Sequence, residues 1–90
     1  MIYTFAADDS FDDGPASTTT MGFVADASSW GGGTITVSIY DNDQAGWVPV
    51  YTDTADFKQE IVIGKGNRYQ VSLSGSTSPS SATISVFAIR

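Results

Sequence analysis

Trp30-Gly31-Gly32-Gly33-Thr34-Ile35-Thr36-Val37-Ser38-Ile39-Tyr40 carries the cleanest strand pattern in the chain. From residue 34 onward, apolar and polar side chains alternate. Ile35, Val37 and Ile39 point to one face, and Thr34, Thr36, Ser38 and Tyr40 to the other. That alternation predicts a half-buried strand, and the preceding glycines predict a bend or bulge that feeds the chain into it. Residues 41–46 are a turn by composition, and Trp47-Val48-Pro49-Val50-Tyr51 is the return strand of a hairpin. Pro49 lacks an N–H, which predicts an edge strand or an interruption there.

The same pattern extends downstream. Phe57, Gln59, Ile61 and Ile63 alternate with Lys58, Glu60 and Val62, and Gly64 to Asn67 read as a tight turn. Tyr69, Val71 and Leu73 form one face of the next strand. Residues 75–81 are a Gly/Ser/Thr/Pro loop, after which Ala82, Ile84, Val86 and Ala88 face inward and Phe87 and Ile89 lie opposite. Upstream, residues 18–24 form a strand with Met21 and Phe23 on one face. Residues 2–6 read as an edge strand, with an arm docked on a neighbouring subunit as the alternative. Residues 8–20 read as an acidic loop around Phe11, which either caps the core or anchors a partner. The whole chain, residues 1–90, is expected to be one all-β domain: an antiparallel sandwich, jelly-roll or immunoglobulin-like, or a small barrel, of about six or seven short strands. The expected core is Trp30, Ile35, Val37, Ile39, Trp47, Val71, Leu73, Ile84 and Val86. Phe11, Phe87 and Ile89 are the expected interface residues.

Composition narrows the chemistry. Among 90 residues there is no histidine and no cysteine, and the net charge is −6. The usual general base, thiolate ligands and disulfides are therefore unavailable. Four bases stand against ten acids, and none precedes Lys58. This argues against nucleic acid and anionic membrane as partners. A Ser–Lys pair with Lys58 or Lys65 is the remaining nucleophilic option, but Lys58 falls on the polar side of its strand and Lys65 lies in a turn. No catalytic set and no cofactor are expected. Asp41 and Asp43 place oxygen ligands at alternate positions, as calcium loops do, without the twelve-residue loop of such sites. Trp30, Tyr40, Trp47 and Tyr51 offer a sugar-stacking platform only if they share an exposed face. The N-terminus carries no signal-peptide pattern.

The central hairpin and the strand after it resemble a family. Trp30-Gly31-Gly32-Gly33-Thr34-Ile35-Thr36-Val37-Ser38 is similar to the aromatic-Gly-Gly-Thr-Val-Thr-Leu opening of short virion proteins of tailed bacteriophages. In that family an Asp/Gly-rich turn and a Trp follow, as Asp41 to Trp47 do here. Gly66-Asn67-Arg68-Tyr69-Gln70-Val71-Ser72-Leu73-Ser74-Gly75 resembles a later Gly-Asn-Tyr-Arg-Leu strand and its Ser-Gly end. The similarity spans roughly residues 30–75, and the turn here lacks the family's double glycine. The resemblance implies a non-enzymatic β-sandwich in the virion, a head decoration (cement) protein bound to the major capsid protein as a homo-oligomer, a trimer above all. A tail or adaptor accessory protein, or a small glycan- or calcium-binding module, is the alternative.

Overall fold

The computed structural model describes residues 1–77 and 82–90. The end of the expected 75–81 loop lies outside them. The described residues form eight strands: β1 (Ile2–Phe5), β2 (Asp9–Asp13), β3 (Thr20–Asp26), β4 (Thr34–Asp41), β5 (Gly46–Asp53), β6 (Phe57–Val62), β7 (Tyr69–Ser74) and β8 (Ala82–Ala88). They build two four-stranded sheets, ordered β1-β8-β3-β6 and β2-β7-β4-β5. Every pairing is antiparallel.

The pairings are nested. The β4–β5 hairpin is innermost, and around it β3 meets β6, β2 meets β7, and β1 meets β8. A long double ribbon rolled up in this way is a jelly roll, which needs eight strands to close its two Greek keys. The protein is therefore an all-β sandwich whose two sheets share one core. Phe5, Phe23, Ile35, Val37, Val71 and Ile84 are its most completely buried large side chains.

The strand missing from the sequence reading is β2. Its sequence, Asp-Ser-Phe-Asp-Asp, has the composition of a loop, yet it pairs residue for residue with β7. Phe11 supplies the reason: it is buried, stacks on Tyr3 at 4.4 Å and meets Phe5 at 5.9 Å. One inward aromatic is enough to seat a short edge strand when the partner strand supplies the hydrogen bonds. The expected acidic loop thus begins with a strand, and Phe11 is a core residue, not an exposed interface anchor. Nor is β1 an arm. It pairs with β8 of its own chain, and the Met1 ammonium donates to the Val86 carbonyl at 2.8 Å.

The glycine hinge is a tight turn. Gly33 N–H donates to the Trp30 carbonyl at 2.9 Å, with φ of +59° at Gly31 and +76° at Gly32. Positive φ at both central positions is the primed turn that glycine accommodates without steric cost. β5 carries the expected irregularity. Its register with β4 shifts between Val37 and Ser38, leaving Val50 as the extra residue between Pro49 and Tyr51. This β-bulge lets Trp47 and Pro49 face outward while Tyr51 still turns toward the core.

Candidate interaction surface

The two outer faces differ in chemistry. On the β2-β7-β4-β5 sheet the outward side chains of β2, β7 and β4 include Ser10, Asp12, Gln70, Ser72 and Thr36, a hydroxyl- and amide-rich surface, while Tyr40, Trp47 and Pro49 face outward toward the β5 edge, where Val50 is 40% exposed. The strands of this sheet contain Asp9, Asp12, Asp13, Asp41 and Asp53 and no lysine or arginine. Several of these acids are structural. Asp13 accepts a hydrogen bond from the Tyr69 hydroxyl at 2.9 Å, and Asp12 accepts one from Gln70 Nε2 at 2.9 Å. Burial first, and then this carboxylate, push the Tyr69 hydroxyl well above the ordinary tyrosine range. Asp8 accepts the Gly75 and Ser76 N–H groups at 3.0 Å each, together with the Ser76 hydroxyl. The Ser76 bonds hold its carboxyl below the usual value.

The opposite outer face is apolar in patches. Across the β1-β8-β3-β6 sheet, one row runs Ile2, Ser85, Val24, Lys58, and a second runs Phe87, Gly22, Glu60. Ile2 is 70% exposed, Val62 68% and Phe87 43%, an exposure that neither the core nor the second outer face requires. Phe87 lies flat over Gly22, where a Cβ would overlap the ring. The glycine therefore gives the phenylalanine a seat on the sheet, and half of the ring is left to solvent. Beside it is a shallow hollow of about 490 Å3 lined by Gly22, Lys58, Gln59, Glu60, Phe87 and Ile89. Phe87 and Ile89, chosen from sequence as interface residues, thus both border one open apolar surface. Gly22 and Val62 belong to the same surface and were missed. Only the register of β3 against β6 and β8 brings them there.

Of the other candidate sites, Asp41 and Asp43 border one hollow with Asn42 and Asn67, but Asp41 is engaged by its own turn. Asp41 accepts the N–H groups of Asp43 at 2.8 Å and Gln44 at 3.4 Å, and its other oxygen accepts Gln44 Nε2 at 3.2 Å. It is the cap of the β4–β5 turn. Among the described residues no group of three or more acids is placed to hold a metal ion. The aromatic platform is dispersed. Trp30 is buried and donates its indole N–H to Asp56 at 2.7 Å. Tyr51 packs on Phe57 with ring centroids 4.9 Å apart. Tyr40 and Trp47 form an edge-on cross-strand pair at 5.4 Å. The Arg68 guanidinium sits 5.0 Å from the Tyr40 ring centre and 5.3 Å from that of Trp47. Trp47 is therefore half-buried on the outside of the sandwich, not in the core as its sequence suggests, because its partner Tyr40 is an outward residue of β4. Ile39 is partly buried and packs against the core, while Ile35, Val37, Val71, Leu73, Ile84 and Val86 lie within it.

The fold and this surface define a small jelly-roll sandwich with one outer face that is polar away from its β5 edge and one that is apolar in patches. No protein-family model matches the chain, and no curated protein matches it.

Proposed function

We propose that the chain is a non-enzymatic structural protein of a tailed-bacteriophage particle, a head decoration protein. It seats the outer face of the β1-β8-β3-β6 sheet on the capsid shell and turns the acidic, hydroxyl-rich face outward. The observation that carries this reading is the exposure of Ile2, Val62 and Phe87 together on one face of the sandwich, against a second face that is acidic and hydroxyl-rich apart from the aromatic and apolar residues at its β5 edge. Apolar side chains gathered on one sheet face favour burial against a protein surface. The absence of histidine and cysteine from the sequence supports a binding role over a catalytic one. The similarity of residues 30–75 to short phage virion proteins supplies the setting.

The test is to quantify the chain by mass spectrometry in purified particles and then to rebind it to particles stripped of it. A head decoration protein is present in a fixed ratio to the major capsid protein. Phe87→Asp should abolish rebinding while leaving the melting temperature within a few degrees of wild type, because the ring is already 43% exposed. Absence of the chain from purified particles, or rebinding indifferent to Phe87→Asp, would refute the proposal.

A further inference from the structure

The sandwich has four edge strands, β1, β6, β2 and β5. An edge presents a row of backbone donors and acceptors to any strand that fits, and proteins normally block such edges with proline, bulges or charged side chains. β5 is blocked by Pro49 and the bulge at Val50. β2 is blocked by its aspartates. Paired antiparallel with its own copy about Phe11, it would set Asp9 against the partner's Asp13. β1 has four residues and no charge, so nothing would fix its register.

β6 is different. Its sequence is Phe57-Lys58-Gln59-Glu60-Ile61-Val62. Lys58 and Glu60 stand two positions apart, one on either side of Gln59. Both are exposed and both lie on the outer face, opposite Val24 and Gly22 of β3. We infer that β6 is the seam of a two-fold homodimer, in which the free edges of two copies pair antiparallel about Gln59. In that register Lys58 lies directly opposite the partner's Glu60, and Glu60 opposite the partner's Lys58. Directly opposed opposite charges stabilise an antiparallel pair, and like charges destabilise it. Buried Phe57 then lies across from the partner's Ile61, so the inner faces of the two sheets run on into each other.

The neighbouring registers fail on the same chemistry. Centring the pair on Lys58 sets lysine against lysine and Glu60 against the partner's Asp56. Centring it on Glu60 sets glutamate against glutamate. A slip of one residue would turn one copy inside out relative to the other. The charge pattern therefore selects one register and one partner, a second copy of this chain. An isologous two-fold contact of this kind closes on itself and does not grow into a fibre. It also brings the two Lys58–Gln59–Glu60 hollows side by side and doubles the apolar outer face. This symmetry is two-fold, whereas the resemblance to head decoration proteins implies three-fold.

The test needs only the purified full chain, so it stands or falls separately from any capsid role. Light scattering on eluting protein should give twice the 9.5 kDa chain mass. Lys58→Glu and Glu60→Lys should each weaken association about tenfold or more, since each creates two like-charge pairs per dimer. Their melting temperatures in the monomeric range should match the wild-type monomer, because both side chains are exposed. The double variant Lys58→Glu/Glu60→Lys should dimerise again, and an equimolar mixture of the two single variants should form a heterodimer. A wild-type monomer up to about 1 mM overturns the inference. So does a trimer, or a dimer that the single reversals leave intact.

Discussion

Val37→Asp puts the reading of the central strand at risk. Val37 is fully buried, at 0% exposure, in the middle of β4, and pairs with Tyr51 on one side and Val71 on the other. Losing the valine contacts costs roughly 1.5–3 kcal/mol. Burying a carboxyl without a compensating hydrogen bond adds roughly 1–3 kcal/mol in its neutral form. Keeping it neutral at pH 7, about three units above the aspartate value of the unfolded chain, adds about 4 kcal/mol. The total, about 7–10 kcal/mol, is comparable to the roughly 5–13 kcal/mol expected for a domain of this length. The variant should therefore be mostly unfolded at pH 7. The introduced carboxyl has a raised folded-state pKa, so the folded form binds the extra proton. Relative to wild type, stability should rise by about 4 kcal/mol as pH falls from 7 to 4, once the ionisation cost disappears. Urea titrations followed by near-ultraviolet circular dichroism at both pH values measure this, with Val37→Ala as the neutral control. A variant that melts within a degree or two of wild type at pH 7 would refute the placement of this face in the core. A loss that does not change with pH would refute the carboxylate argument.

The sandwich was legible in the sequence where alternation is strict. Residues 34–39, 69–73 and 82–88 each show a two-residue period, and the structure buries the faces that this period selects except at two strand ends, where Ile39 is only partly buried and Ala88, expected to face inward, is exposed because the core stops at Val86. It was least legible where a strand owes its existence to its partner. β2 has too many aspartates to look like a strand, and its acids are tolerable because they end at β7 side chains or point to solvent. Trp47 was misplaced for a related reason. Its size suggests burial, but a bulge downstream re-phases β5, and the side on which Trp47 falls is fixed by its pairing with Tyr40. Nested pairings such as β1 with β8 join residues 77 to 83 positions apart, and no local pattern encodes them. The candidate surface was half legible. Phe87 and Ile89 break the inward set of β8 and so announce a second face, whereas Gly22 and Val62 join it only through register.

Asp56→Ala should cost about 1–3 kcal/mol, because it leaves the nearly buried Trp30 indole N–H without its acceptor. Indole fluorescence and a urea midpoint would register the loss, and an unchanged midpoint would show the bond to be dispensable. Between neutral pH and about pH 10 stability should be flat, and above that it should fall, because the Tyr69 and Tyr51 hydroxyls are held protonated in the fold while those of the unfolded chain ionise. Tyr69→Phe should flatten that alkaline limb, and a limb of unchanged steepness would remove Tyr69 as its source. Gly31→Ala should destabilise by about 1–2 kcal/mol or more, since residue 31 holds a φ of +59° and a Cβ there would collide with the Thr77 carbonyl. Thermal melts would register it, while the same change at Gly46, which has open space and ordinary φ, should be mild. Deleting Val50 removes the extra residue of the bulge and leaves Pro49 opposite Ser38 and Tyr51 opposite Val37 in unbroken alternation. Trp47 and Pro49 then stay outward and Tyr51 keeps its contact with Phe57 and the core, so the deletion should cost no more than about 1 kcal/mol. Val50→Ala should also be mild, because Val50 is 40% exposed. A loss of roughly 2–4 kcal/mol on deletion, the size expected when a large core side chain is misplaced, would mean that Val50 is not the extra residue of this strand.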